Sequence, residues 1–113
     1  MTTTTAPGGG THEAEDWRSL IETYFPAERV DEAMAVMDCE SQGDPLALNE
    51  ASGAAGLFQF MPDTWTWASA EAGWAGAEIF APEPNTAVAA WLVQVSIDTG
   101  HEGGPWGHWS CQP

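Results

Sequence analysis

The sequence is almost devoid of cationic side chains. It contains no lysine and only two arginines, against 17 aspartates and glutamates, and its formal net charge is −15 over 113 residues. Proteins that bind nucleic acids neutralise phosphates with lysine and arginine, and adsorption to an anionic membrane surface relies on the same residues. The composition therefore argues against nucleic acid and anionic membranes as partners.

Long apolar runs and targeting signals are missing as well. No segment reaches the roughly 20 apolar residues of a membrane-spanning helix, so we expect no membrane insertion. The N-terminus reads MTTTTAPGGGTHEAED and has neither the basic residues nor the apolar stretch of a secretory signal peptide. Residues 1–11 are a Thr/Gly/Pro tract, which predicts a disordered leader or linker. The remaining residues, 12–113, are expected to form a single domain.

The sequence has only two cysteines, Cys39 and Cys111. Two isolated cysteines in a cytosolic protein are usually free thiols, but here we favour a disulfide, because it would hold the short Trp-Ser-Cys-Gln-Pro tail. Such a bond would close a loop of about 70 residues and stabilise the fold by about 3–4 kcal/mol on chain-entropy grounds. Disulfides persist in oxidising compartments, so this interpretation predicts work outside the cytoplasm.

The residues that are abundant point to a folded, mainly helical domain. Hydrophobic residues make up 43% of the chain and seven of them are tryptophan, too much apolar surface for a disordered protein. Apolar residues recur at helical spacing in four segments. The predicted helices are Glu13–Tyr24, 26–41, Pro62–Ala72 and Asn85–Thr99. Asn85 is predicted to be an N-cap and Gly100 a C-cap. Residues 43–60 read as a shaped loop with at most a short hairpin or helical turn.

Glu40 is the first candidate for chemistry. It borders the apolar face of the second predicted helix and lies in its last turn, where the helix dipole is negative. Partial burial, the negative end of the helix dipole and the negative net charge of the protein all predict a raised pKa for this carboxyl group. A carboxylic acid that stays protonated near neutrality is the general acid of glycosidic-bond cleavage. The alternative is an ordinary exposed glutamate at a helix end, which periodicity alone favours.

The segment that follows Glu40 carries an ordered set of motifs. Glu40-Ser41 is followed by Gly-Ala-Ala-Gly-Leu-Phe-Gln at 53–59 and by Met-Pro-Asp-Thr at 61–64. This order resembles the signature of the soluble lytic transglycosylase domain, which shares the lysozyme-like fold with goose-type lysozymes; one extra residue precedes the first glycine. A looser match continues through residues 84–92. The resemblance implies an α+β, mainly α, lysozyme-like domain with little or no sheet.

The same resemblance assigns roles position by position. Glu40 matches the catalytic acid. Cys39 directly before it, with the terminal Trp-Ser-Cys, is similar to small actinobacterial wall-lytic domains related to resuscitation-promoting factors. Further positions match residues that shape or line the saccharide groove: Ser41, Asn49, Gly53, Gly56, Gln59 and Met61. Alternatively, Ser41 and Asn49 are caps, Met61 is a core residue and the glycines serve only the turn.

The sequence departs from the family pattern near its C-terminus. The family usually places a tyrosine there, aimed at the catalytic acid, but Tyr24 is the only tyrosine of this chain. The tail offers three other rings, those of Trp106, His108 and Trp109. We expect one of them to fill the place, with Trp109 or Trp106 stacking on a sugar; packing under the disulfide is the alternative. Trp65 and Trp67 are expected in the core rather than as sugar platforms.

The resemblance also implies a mechanism. An inverting hydrolase needs a second carboxylate to activate water, and Asp44, Glu50 and Asp63 do not fit the positions of the extra acids in goose-type hydrolases. A lone glutamate suits a lytic transglycosylase that cleaves the MurNAc-β-1,4-GlcNAc bond and leaves 1,6-anhydro ends. No metal or organic cofactor is implied.

The expected partner is the glycan strand of peptidoglycan, and the expected state is a monomer. Because no signal peptide is visible, we expect a phage lysin, either an endolysin or a virion-associated enzyme, with a trimmed bacterial secreted enzyme as the alternative. Two other functions remain open: a hydrolytic muramidase of the goose type, and a wall-binding module without turnover.

Overall fold

The computed structural model describes residues 14–113 as four α-helices joined by ordered loops. The helices are α1 (Arg18–Tyr24), α2 (Val30–Ser41), α3 (Pro62–Glu71) and α4 (Pro82–Thr99). Residues 14–113 contain no β-strand, and only isolated antiparallel bridges join Leu48 to Ala55 and Ala55 to Phe60. The predicted mainly helical fold class with little or no sheet is thereby confirmed. The leader predicted for residues 1–11 lies outside the described residues.

Helix starts follow the local sequence. Pro62 and Pro82 occupy the first turns of α3 and α4, where a missing N–H costs nothing and the fixed φ suits a helix. The first two helices begin later than predicted, because each is preceded by a 3-10 turn, Ala14–Trp17 and Ala27–Arg29. No side chain caps α1 or α2, and the tighter turns satisfy part of the exposed N–H groups instead.

The N-cap predicted at Asn85 is wrong. Helix α4 begins earlier, at Pro82, so Asn85 lies inside its first turn and is fully buried. Pro82 and Pro84 have no N–H, so the first turn of α4 has fewer donors that need a cap. The side-chain amide of Asn85 makes tertiary contacts instead. Its Nδ2 donates to the Ile79 carbonyl at 2.7 Å, and its Oδ1 accepts the Phe58 N–H at 2.8 Å. Asn85 therefore connects α4 to the loop between α2 and α3, residues 42–61, which we call the central loop.

The core lies between α1, α2 and α4 and is closed from one side by the C-terminal tail (residues 101–113). Phe58, at the centre, is completely buried, and its ring lies 6.4 Å from that of Trp106. Phe25 stacks on the same indole at 5.8 Å between ring centroids. Because tail tryptophans supply this much of the core, the tail is a structural part of the domain.

The two tryptophans of α3 have different environments. Trp65 is a core residue, as predicted, and its Nε1 donates to the Ala77 carbonyl at 3.2 Å. Trp67 is predicted to lie in the core as well but is 44% exposed, and its ring is inclined by 68° to that of Trp91 and by 63° to that of His108. The two positions are two residues apart on one helix, so they face different sides, and only one face of α3 is covered. None of the helices in residues 14–113 is long and apolar enough to span a membrane.

Gly56→Ala is expected to destabilise the protein by about 3 kcal/mol or more, through positive φ and overpacking together. Gly56 has φ +87°, and a Cβ there would come within 2.2 Å of Asn85 Nδ2 and 2.5 Å of the Ile79 carbonyl oxygen. Gly73→Ala is the matched control, since Gly73 has φ +89° but open space around it. Chemical denaturation measures both, and an equal loss in the two variants would contradict the packing role of Gly56.

Candidate active site

The site begins where α2 ends. Gln42 takes the left-handed conformation, with φ 57°, and turns the chain out of the helix. Buried Ser41 stabilises this turn: its Oγ lies 3.2 Å from the Met37 carbonyl, to which it donates, and accepts the Gly43 N–H at 3.2 Å. These contacts fix the backbone directly after Glu40. The last turn of α2 therefore presents Glu40 from a rigid support.

An open cleft of about 330 Å³ lies between this helix end and the central loop. That volume is in the range of small-ligand sites. The cleft brings together four of the predicted site residues, Glu40, Ser41, Asn49 and Gln59. The other residues that line it are Cys39, Gln42, Asp44, Ala47 and Leu48.

The Glu40 carboxyl group is half-buried at the wall of this cleft. Burial raises its pKa above that of an exposed glutamate and is the largest influence on it, while backbone N–H groups of Cys111 and Ser110 act in the opposite direction. The Cys111 N–H donates to Glu40 Oε2 at 3.0 Å. Within residues 14–113, no basic side chain forms an ion pair with Glu40. The raised pKa predicted from the sequence is confirmed, with desolvation as its main cause.

Gln59 also lines the cleft, and its backbone is in a strained conformation. It has φ 52°, unusual for a residue with a side chain. Its Nε2 donates to the carbonyls of Ala47, at 3.0 Å, and Gly56, at 2.9 Å. These two bonds use both amide hydrogens, so the group left to meet a ligand is the acceptor Oε1. Gln59 also borders a second, smaller cavity with Met61 and His108.

The structure places the predicted groove residues Asn49, Met61 and Gly56 in three different environments. Asn49 is exposed on the cleft rim, and its Oδ1 accepts the N–H groups of Ala51, at 3.0 Å, and Ser52, at 3.3 Å. Met61 is 46% exposed and borders the smaller cavity, so it is not a core residue. Gly56 is buried against Asn85 and does not line either cavity, so the structure gives it a packing role.

The predicted disulfide is present. Cys39 and Cys111 are bonded, with 6.1 Å between their Cα atoms and a sequence separation of 72. Cys39 immediately precedes Glu40, so the bond brings the tail to the acid. No group of three or more His, Cys, Asp or Glu residues suited to a metal ion occurs in the described part of the chain.

A family model described as the transglycosylase SLT domain matches residues 23–108. The chain belongs to this family. SLT domains act on cell-wall peptidoglycan, and the match covers α2 and every residue that lines the cleft. The helical architecture agrees with the lysozyme-like fold of this family. No significant match was found among curated proteins or among solved structures.

Two tail tryptophans of this SLT domain, Trp106 and Trp109, are buried and hydrogen-bonded within the fold. Trp109 is 7% exposed and its Nε1 donates to the Phe58 carbonyl at 2.8 Å. Trp106 is 2% exposed and donates to Glu32 Oε1 at 2.9 Å. Burial of both rings favours the packing alternative over the stacking role predicted for Trp109 or Trp106. Of the two, Trp109 still borders the smaller cavity at Gln59. Both indole N–H groups are buried, and each donates to an acceptor inside the fold.

The groups that reach the acid from the tail of the SLT domain are main-chain amides rather than a ring. Sequence reasoning looked for a replacement tyrosine among Trp106, His108 and Trp109, and it missed the N–H groups of Ser110 and Cys111. Every residue except proline has such a group, so composition gives no signal for it. The available clue was the position of Cys39: a partner cysteine bonded there must bring its own backbone close to Glu40.

Proposed function

We propose that this SLT domain is a peptidoglycan lytic transglycosylase with Glu40 as its general acid and base. The single observation that carries the proposal is a half-buried carboxyl group of raised pKa on the wall of an open cleft. A protonated carboxyl donates to the leaving oxygen, and the carboxylate it becomes accepts a proton later in the same cycle. One residue is therefore sufficient for both proton transfers.

The reaction proceeds in two steps. Glu40 protonates the glycosidic oxygen as the bond from C1 of N-acetylmuramic acid breaks, which releases N-acetylglucosamine with a free 4-hydroxyl. The oxygen of the substrate's own N-acetyl group stabilises C1. The 6-hydroxyl of the muramic residue then attacks C1 and passes its proton to Glu40. The product has a 1,6-anhydro ring, no water is consumed, and Glu40 is again protonated.

The environments of the nearby acids favour this route over hydrolysis. Asp44 is the other carboxylate that lines the cleft, and its Oδ1 accepts the Leu46 N–H at 2.9 Å within a turn. Glu50 and Asp63 are exposed and line neither cavity. Asp63 lies in the first turn of α3, where a carboxylate is stabilised by the helix dipole. An inverting hydrolase would need one of these residues as the base that activates water.

The cleft and the smaller cavity meet at Gln59, which supports a groove longer than one sugar. The Gln59 Oε1 is an acceptor suited to an N–H or hydroxyl of the glycan. Exposed Met61 adds an apolar contact surface beyond it. In this proposal Ser41 and Asn49 hold the turns that shape the groove.

Mass spectrometry of digested peptidoglycan tests the proposal. The expected products are muropeptides that end in 1,6-anhydro-N-acetylmuramic acid. Reducing ends that have gained one water would instead establish a hydrolytic muramidase. Binding to wall material without any soluble product would indicate a wall-binding module. Whether the domain reaches the wall by phage release or by secretion stays a prediction.

The pH dependence of activity gives a further prediction. The acid must be protonated to act, so kcat/KM should fall as the pH rises through the pKa of Glu40 in the free enzyme. Because burial raises that pKa, the fall should begin at a higher pH than for an exposed glutamate. Initial rates on a soluble glycan fragment at constant ionic strength measure it. A rate that increases steadily from pH 5 to 9 would contradict the role of Glu40 as acid.

A further inference from the structure

The end of the chain forms a short bridge over Glu40. The Cys111 N–H donates to Glu40 Oε2 at 3.0 Å, and the Ser110 N–H interacts with the same carboxylate. The Sγ of Cys111 is bonded to Cys39, the residue before Glu40. The tail is thus linked twice to one helical turn, once covalently and once through the carboxylate itself.

The tail is also held from its other side. Trp106 and Trp109 are buried, and the backbone N–H of Trp109 donates to the Trp106 carbonyl at 3.0 Å. Beyond the disulfide, Gln112 Nε2 donates to the carbonyls of Trp106 and Trp109, both at 2.9 Å. The backbone at Ser110 and Cys111 is therefore fixed between a core anchor and a covalent bond, and its N–H groups have a set direction.

We propose that Ser110 and Cys111 are positioning residues for Glu40, and that their main-chain N–H groups take the place of the tyrosine expected near the acid. This inference rests on the proposed function, because it assigns Glu40 the catalytic role. The Cys111 N–H binds Oε2 and, with the Ser110 N–H on the same carboxylate, restricts rotation of the carboxyl group. In this proposal the proton for the glycosidic oxygen comes from Oε1, the oxygen that Cys111 does not bind. Fixing one oxygen in this way saves orientation entropy in the transition state.

The amides also balance the effect of burial. Burial alone favours the neutral acid, whereas N–H donors favour the carboxylate that Glu40 becomes after its first proton transfer. A group that acts as acid and then as base needs both forms to be accessible. The surrounding elements carry other titratable residues: Asp31, Glu32 and Asp38 on α2, Asp44 and Glu50 in the loop, and His101, Glu102 and His108 in the tail. None of them forms an ion pair or hydrogen bond with Glu40 in the described part of the chain.

Proline substitution removes one N–H at a time. In the disulfide-bonded protein, Ser110→Pro is compared with Ser110→Ala, which keeps the amide. Without the disulfide, the double variants C39A/C111P and C39A/C111A form a second matched pair. The pKa of Glu40 is read by NMR from ¹³C-labelled glutamate carboxyl groups, with the Glu40 signal assigned through Glu40→Gln, and kcat/KM is measured against pH.

In each pair the proline member should have a Glu40 pKa higher by about one pH unit, the effect of losing a hydrogen bond to a partly buried carboxylate. The fall of kcat/KM should move to higher pH by the same amount. If the tail had only a structural role, the proline variants would have a lower rate but an unchanged Glu40 pKa, both in the NMR titration and in the pH profile of kcat/KM. Equal Glu40 pKa values within both pairs would overturn the proposal. Circular dichroism verifies folding, and the pair that stays folded decides.

The titration needs no turnover, so it separates two failures. Identical Glu40 titrations within the pairs, in a protein that cleaves peptidoglycan, would refute the positioning role alone. No cleavage by the wild-type protein would refute the proposed function, even with the expected pKa difference.

Discussion

Glu40→Gln should lower the rate of peptidoglycan cleavage by about 10³-fold or more, near the upper part of the range for a lost general acid. Glutamine is close in shape to glutamate but cannot donate a proton to the leaving oxygen. Its Oε1 can still accept the Cys111 N–H that now binds the carboxylate at 3.0 Å. The fold should therefore be retained, and a loss of activity reports on chemistry. Clearing of wall suspensions and muropeptide analysis measure the rate.

Two aspartates of the same region provide the controls for this variant. Asp38 lies in the same turn of α2 and is exposed, so Asp38→Asn should keep the wild-type rate. Asp44 lines the cleft, and its Oδ1 accepts the Leu46 N–H; asparagine retains an oxygen for that bond. We expect Asp44→Asn to keep most of the activity. A loss as large as that of Glu40→Gln would contradict the single-acid mechanism and favour a hydrolase with a second carboxylate.

The sequence predicted those parts of the site that depend on local chemistry. Glu40 was predicted as the candidate acid because its position at the helix end and the following motif both indicate it, although periodicity alone favoured an ordinary exposed glutamate. The start of α3 at Pro62 and the end of α4 at Gly100 were predicted from the backbone preferences of proline and glycine. Each of these signals is contained in a few adjacent residues, so no tertiary information was needed.

The parts that were missed depend on distant partners. Asn85 has the residue type of an N-cap, but its amide bonds Phe58 and Ile79, which no local pattern reveals. The left-handed backbone at Gln59 is similar, since glutamine is not a residue that favours positive φ. It is held there by side-chain bonds to Ala47 and Gly56. Such positions are defined by the assembled fold, which overrides intrinsic preference.

The environment of Trp109 illustrates the same limit at the site itself. An exposed stacking tryptophan and a buried one have the same letter in the sequence, and only the packing against Phe58 and Phe60 distinguishes them. The consequence is functional. Because the tail tryptophans pack in the core, the proposed function relies on polar groups of the cleft and on Met61 for sugar contacts, and on the tail backbone to position Glu40.

Removal of the disulfide should have the second largest effect among the predicted changes. The property most affected should be the free energy of unfolding. The Cys39–Cys111 bond joins residues 72 apart in sequence, and closing a loop of that length stabilises a fold by about 4 kcal/mol on chain-entropy grounds. For a domain of this size, the double variant C39A/C111A should therefore melt about 15 °C lower than the wild type. Differential scanning calorimetry measures the change.

Dithiothreitol should reproduce that effect in the wild-type protein and leave C39A/C111A unchanged, which separates loss of the bond from other effects of the reductant. Activity should fall as well, even at temperatures where the variant is folded, because the tail that binds Glu40 is then held only by Trp106, Trp109 and Gln112. A melting temperature unaffected by reduction would contradict a stabilising role. Unchanged activity in a folded, reduced protein would show that Glu40 does not depend on the covalent link.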